Sequence, residues 1–304
     1  MTTELEGKHQ IGDVSLYTKT WKPSGPPKAK LVFIHGFNDH INRYYETFPT
    51  LASHGIETLA FDQRGWGRSV KSPSDKGKTG PTSLVISDIV SVIKTQLPSP
   101  VPLFLLGHSM GGGEVITLAS DPLYSDLTPQ IRGWMLESPF VDFTPESKPA
   151  ALKVILGRLA GRLMPYRQMV NPIPPEHTTR DPEVIKSLYA DKLIHDTGTL
   201  EGLAGMLDRT AAINTGKAKL NPGTKSIWLG HGTADQGTSY AASKQWFEEQ
   251  TGVQDKEFKT YEGWAHQLHA DTPETRLVYM KDITDWILAR VEDESNVKPV
   301  EAKL

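Results

Sequence analysis

The chain has 304 residues, 38% of them hydrophobic and 23% charged, with a formal net charge of −3. This is the composition of an ordinary globular protein, long enough for one large α/β domain or for a core domain carrying an insertion. The slightly acidic balance argues against nucleic acid as a partner, and the absence of cysteine excludes disulfides, thiolate metal sites and a cysteine nucleophile.

Met1–Gly12 is polar and has no apolar signal region, and no apolar run approaches the ~18 residues of a membrane span. An intracellular, cytoplasmic enzyme that is not secreted is expected, with peripheral attachment to membranes or lipid droplets left open. Val14–Trp21 alternates like an edge strand, Pro23–Lys28 reads as a loop, and Lys30–Ile34 is a short β run ending in His35-Gly36-Phe37. Asn42–His54 has helical spacing of apolar residues, with Gly55 suited to its C-cap. Ile56–Phe61 is the next strand, and Thr82–Leu97 reads as a helix stopped by Pro98. Leu103–Leu106 is a buried strand, Glu114–Ser120 the helix after it, and Ile131–Glu137 a further strand.

Strands and helices alternating at these intervals predict a mostly parallel sheet with helices on both faces. The alternation stops at Ser138-Pro139. As far as Pro222 there are helical patterns and prolines but no convincing strand. It resumes with a strand at Lys225–Leu229, a helix near Ser239–Gln250, a strand at Glu257–Tyr261 and a closing helix at Thr275–Val291. The expected organisation is therefore a core of residues 1–138 and 223–291, an inserted helical cap of residues 139–222, and a flexible tail of residues 292–304. The cap would sit at the C-terminal edge of the sheet, where α/β proteins place their active sites.

Chemistry concentrates at Gly107-His108-Ser109-Met110-Gly111, a G-x-S-x-G between a strand and a helix. A serine on such a sharp turn has its hydroxyl pushed out above the sheet, and the flanking glycines let neighbouring backbone pass close by. A serine needs a base, and the base needs an acid that fixes its tautomer. Asp235, in Gly230-His231-Gly232-Thr233-Ala234-Asp235, and His266, in Glu262-Gly263-Trp264-Ala265-His266, both follow strands in the order acid, then histidine. His269 is three residues further on, and spacing alone does not separate the two histidines; placement in the loop leaving the Glu257–Tyr261 strand favours His266. The oxyanion needs two N–H donors. Met110, directly after the serine, and Phe37, in the loop after the Lys30–Ile34 strand, are the candidates.

In this order, HGFNDHINRYY, FDQRGWGRS, GHSMGGG, HGTAD and YEGWAHQLH resemble the monoacylglycerol lipases of the α/β-hydrolase family, of the fungal kind, over roughly Gly12–Val291. The resemblance implies an α/β-hydrolase fold whose cap admits a fatty acyl chain and attaches loosely to lipid surfaces. It implies a Ser109–His266–Asp235 triad with Phe37 and Met110 as oxyanion donors, and places Arg43, Glu146, Tyr189 and His269 near the glycerol end. Asn38-Asp39 stands where the commoner loop reads HGxGEH.

Gly77-Lys78-Thr79 echoes a phosphate loop, but Ser72 stands where the first glycine is required. No H-E-x-x-H occurs and no metal or other cofactor is expected. Asp62 and Arg64 read as structural, tying a strand end to neighbouring loops. In the cap, Lys148–Met164 spaces Leu152, Ile155, Leu156, Leu159 and Leu163 as a helix would, with Thr144-Pro145-Glu146 as its start signal. Lys148, Lys153, Arg158, Arg162 and Arg167 make it a basic patch, read either as a solvated face or as a contact for anionic lipid. The expected activity is hydrolysis of monoacylglycerol to fatty acid and glycerol through an acyl-enzyme. A lysophospholipase, a general carboxylesterase and a non-catalytic lipid-binding scaffold remain the alternatives.

Overall fold

The computed structural model describes residues 2–295. The chain enters through an antiparallel hairpin of β1 (Thr3–Ile11) and β2 (Val14–Lys22). Then follow β3 (Ala29–Ile34), α1 (Thr47–Ser53), β4 (Ile56–Phe61), α2 (Thr82–Lys94), β5 (Leu103–His108), α3 (Met110–Ser120) and β6 (Gly133–Glu137). An excursion of α4 (Ala151–Leu163), β7 (Gln168–Val170), α5 (Pro182–Ala190), β8 (Thr197–Thr199) and α6 (Leu200–Asn214) comes next. The chain returns as β9 (Ser226–Gly232), α7 (Tyr240–Glu249), β10 (Asp255–Tyr261) and α8 (Pro273–Ser295).

The main sheet runs β1-β2-β4-β3-β5-β6-β9-β10, with β2 antiparallel to both neighbours and every other pairing parallel. Successive residues on its central strands face opposite cores. Val32, Ile34, Leu103 and Leu105 pack with Ile86, Ile89 and Ile93 of α2 and Val115, Ile116 and Leu118 of α3. Leu31, Phe33, Phe104 and Leu106 pack with Phe48 and Leu51 of α1 and Tyr279, Ile283 and Trp286 of α8. A sheet buried on both faces has apolar runs rather than alternation, which is why these strands are continuous hydrophobic segments. The parallel strands all deliver their C-terminal ends to one edge, where Phe37, Ser109, Asp235 and His266 emerge.

The structure departs from the sequence reading in five places. The polar start, to which the sequence reading assigns no element, forms strand β1; it is exposed on nearly every residue, so no apolar pattern marks it. α3 begins directly at Met110. The excursion holds a two-stranded antiparallel sheet, β7 with β8, whose three-residue strands are too short to show a period. α4 starts at Ala151, and Thr144-Pro145-Glu146 forms a separate turn closed by Ser147 N–H on the Thr144 carbonyl (3.2 Å). α8 continues to Ser295, past the expected start of the tail, and residues 296–304 lie outside the described residues. The last helix of the excursion is also part of the main body, since Ile213 of α6 belongs to the α2–α3 core and Arg209 pairs with Glu114 of α3 at 3.1 Å. Among the described residues no helix is long and apolar enough to cross a membrane.

Candidate active site

The β5–α3 connection turns so sharply that Ser109 has φ 56° and ψ −118°, a conformation costly for a residue with a Cβ. Two glycines make it buildable: a Cβ on Gly107 would collide with the Gly111 carbonyl, and one on Gly111 with the carbonyls of Ile34 and His35. The Ser109 N–H donates to the Glu137 carbonyl at 2.9 Å, which fastens the turn to the end of β6. α3 starts at the next residue, so its unpaired N–H groups and positive dipole end lie under the serine.

Asp235 leaves β9 on a turn that hands its carboxylate five hydrogen bonds. Oδ1 accepts from the N–H of Gly237 (2.7 Å) and of Thr238 (3.0 Å). Oδ2 accepts from His266 Nδ1 (2.7 Å), His231 Nε2 (2.9 Å) and Thr238 Oγ1 (2.9 Å). Burial would raise its pKa, but the two histidines and these donors hold it well below the usual carboxylate range. For His266 burial would lower the pKa; the Asp235 carboxylate outweighs this and raises it above the ordinary 6.5. Since an ionised carboxylate only accepts, His266 carries its proton on Nδ1 and presents a free Nε2 as a base. Ser109 Oγ makes no direct hydrogen bond among the described residues, and such contacts commonly tighten only with substrate bound.

The loop after β3 lies against the serine: a Cβ on Gly36 would stand 3.0 Å from Ser109 Cβ. His35 holds this loop, with Nδ1 on the Gly36 carbonyl (2.8 Å) and Nε2 accepting from Gln63 N–H (2.9 Å). Burial lowers the His35 pKa, so the ring stays neutral and can accept. Asp62 fastens the loop from below, accepting from Ile41 N–H (2.9 Å) and Arg68 N–H (2.7 Å), and Arg64 is bidentate to Asp88. Both are structural, as expected. The N–H groups of Phe37 and Met110 donate to no protein acceptor among the described residues and are free for a ligand oxygen. Asn38 takes the left-handed φ of 56° that a glycine would otherwise supply, and its amide donates to Asp196 of the excursion at 2.5 Å.

A second group of polar residues is buried beside the first, and the sequence reading found only one member, His269. Glu137 ends β6 fully buried and accepts from His269 Nδ1 (2.6 Å), His269 N–H (3.2 Å) and Tyr279 Oη (2.8 Å). The His269 ring stacks on Tyr44 with centroids 4.1 Å apart. Tyr44 Oη donates to Asp39 (2.6 Å) and lies 3.1 Å from His108 Nδ1. The His108 ring is 4.9 Å from both the His266 and His269 rings. Burial lowers the His108 pKa to about 3, which keeps it uncharged between them. A glutamate at a strand end next to the serine turn was the available signal. His108, Glu137 and His269 offer ligand atoms within 4.8 Å of one another, but a cation there would have to displace the His269–Glu137 proton.

Of the four residues expected at a glycerol end, three lie in the excursion or at its joint with the core. Arg43 is buried in the joint with the excursion, where NH1 donates to Asp191 (3.1 Å) and NH2 to Tyr45 Oη (2.7 Å) and Ser187 Oγ (3.0 Å). Tyr189 faces outward, 68% exposed, with its hydroxyl on Glu176 (3.0 Å). Glu146 is exposed in the turn before α4. His269 is the one on the His266 side, each of the two rings lying 4.9 Å from that of His108.

In the excursion, Ile155, Leu156, Leu159 and Leu163 of α4 are each more than half exposed. The basic patch is weaker than expected: Lys148 pairs with Asp142 (2.7 Å) and Arg158 with Asp208 (2.6 Å), while the Lys153 side chain lies outside the described residues. Between α4, β7 and the start of α6 is an apolar cavity of about 710 Å³, lined by Leu156, Gly157, Ala160, Met169 and Leu200 among others. Ser109, Asp235 and His266 are not among its lining residues.

A family model described as serine aminopeptidase, S33, matches residues 25–273, and the chain belongs to that family. Fold and family together define an α/β-hydrolase of the serine hydrolase class. More particularly, the chain is 32% identical over 286 residues to a putative monoglyceride lipase of Schizosaccharomyces pombe, covering 93% of this chain and 74% of that one. It is 29% identical to the monoglyceride lipase of Mus musculus, covering 91% and 88%. Among solved structures, a soluble variant of monoglyceride lipase from Saccharomyces cerevisiae in complex with a substrate analogue matches with a TM-score of 0.85 at 19% identity, covering 95% and 96%, a likeness of fold. The monoacylglycerol lipase of Paleococcus ferrophilus matches with a TM-score of 0.76 at 28% identity, covering 90% and 99%.

Proposed function

We propose that the protein hydrolyses monoacylglycerols to fatty acid and glycerol. The observation that carries this reading is the Asp235–His266 pair facing the same sheet edge as a strained, outward-turned Ser109. In the reaction, His266 Nε2 takes the Ser109 proton as Oγ attacks the ester carbon. The N–H groups of Phe37 and Met110 receive the oxyanion. The imidazolium, stabilised by Asp235, then protonates the glycerol oxygen as the C–O bond breaks, leaving an acyl-serine. Water, deprotonated by the same histidine, releases the fatty acid and restores Ser109.

Residues 139–222 act as the cap in this reading, with the apolar cavity as a seat for the acyl chain. The exposed α4 leucines meet a lipid surface, and His269 contacts the glycerol. Relatives called monoglyceride lipases span most of both chains in the alignments, which supports glycerol esters over other acyl compounds. The test is product analysis with monoacylglycerol, diacylglycerol, a lysophospholipid and an aminoacyl arylamide side by side. Monoacylglycerol should give the highest kcat/KM; preference for the lysophospholipid or the arylamide would overturn the substrate assignment.

A further inference from the structure

Glu137–His269 is a buried carboxylate–histidine pair that the proposed mechanism does not use, and the His108 ring lies 4.9 Å from both its histidine and His266. We infer that Glu137 is a positioning residue that locks His269 in its Nδ1–H tautomer, making Nε2 a hydrogen-bond acceptor for a hydroxyl of the departing glycerol. This rests on the reading that His269 contacts the glycerol.

Glu137 is fully buried; burial would raise its pKa, but the His269 ring and the hydrogen bonds from His269 and Tyr279 hold its carboxyl ionised. An ionised carboxylate cannot donate, so the 2.6 Å contact to His269 Nδ1 requires the proton on that nitrogen. The same oxygen takes the His269 backbone N–H, which fixes the segment as well as the ring, and Tyr279 Oη occupies the other oxygen. The face of the ring is covered by Tyr44, with centroids 4.1 Å apart. What remains is Nε2, buried and without a protein partner. A buried acceptor without a partner carries a desolvation cost, which an alcohol hydroxyl would relieve. A p-nitrophenolate leaving group has no hydroxyl hydrogen to offer it. His231, by contrast, gives Nε2 to Asp235 and faces the acid, not the leaving group. Glu137 is also the residue whose carbonyl receives the Ser109 N–H, so nucleophile turn and His269 hang on one strand end.

The experiment has two parts. Long-range ¹H–¹⁵N correlation on ¹⁵N-histidine-labelled protein at mildly alkaline pH, with His269 assigned from a His269→Gln sample, reports which ring nitrogen is protonated. The wild-type ring should be the Nδ1–H form, and Glu137→Gln should shift it toward Nε2–H, because an amide can donate to Nδ1. In parallel, the ratio of kcat/KM for monoacylglycerol to that for a p-nitrophenyl ester should fall about tenfold or more in both variants, as the loss of one hydrogen bond implies. A wild-type Nε2–H ring overturns the inference, and needs no variant that must fold. A folded Glu137→Gln with an unchanged tautomer and ratio overturns it as well. If the ratio is unchanged in His269→Gln, the glycerol contact itself fails, a result distinct from a wrong tautomer.

Discussion

Asp235 and Leu159 break the usual division between inside and surface in opposite directions. The carboxylate is buried with five donors around it; the leucine, 54% exposed, stands on a helix that turns several apolar residues outward. Burying a charge is tolerable only when each lone pair is met, so the sheet edge is rigid and organised before any substrate arrives. Exposing an apolar face is tolerable only when something else covers it part of the time. In the proposed reading the core holds the chemistry ready, and the cap finds the substrate. Changes at the sheet edge should therefore alter rates on every ester, and changes on α4 should alter only delivery from a lipid surface.

The sharpest break of this comparison is Ser109→Ala. Hydrolysis of all esters should fall by about 10⁴-fold or more, with Tm close to the wild-type value, because alanine keeps the Cβ and the same strained turn. Retention of a tenth of the wild-type rate would remove Ser109 from its role. His266→Ala should likewise abolish turnover of both monoacylglycerol and p-nitrophenyl esters, since proton transfer is common to them. His269→Ala should cut monoacylglycerol selectively, by about 10- to 100-fold if one hydrogen bond is lost. Measuring kcat/KM for both substrates in both variants decides the two roles, and a reversed pattern would exchange them.

A pH profile probes the same edge more finely. The raised His266 pKa means that the base form is lost as pH falls through a value above 6.5, so the acid limb of kcat/KM should lie on the alkaline side of free imidazole. Asp235→Asn removes the charge that raises it, and the limb should move to lower pH while the rate drops by about 10⁴-fold. A limb that stays in place would show that another group titrates there. On the cap, Leu159→Ser with Leu163→Ser should weaken binding to phospholipid vesicles by about 100-fold or more, since fully burying two leucines is worth about 3–6 kcal/mol. Cleavage of a water-soluble short-chain ester should change less than twofold (~0.4 kcal/mol). Equal loss on both would place α4 in the catalytic site.

How far the sequence could be read follows the same division. Ser109, Asp235 and His266 could be brought together from the sequence because each follows a strand, and a parallel sheet brings strand ends to one edge. Strand β1 was not legible, because its exposed side chains carry no pattern. The surroundings of Arg43 could not be read from its motif alone, because its partners Asp191 and Ser187 lie about 150 residues away in the chain. Glu137 was hidden for the opposite reason, looking like the polar end of a strand when its partner His269 arrives from beyond β10. On α4 the apolar spacing was plain, but whether that face turns inward or outward is set by packing, which no local pattern encodes.

The central claim is that Ser109 is the nucleophile of an acyl-transfer site assembled by Asp235 and His266. The most direct measurement is reaction with a fluorophosphonate followed by peptide mass spectrometry. A single adduct on Ser109, slowed by added monoacylglycerol and lost in His266→Ala, is the predicted result; no adduct, or one on another serine, would contradict it.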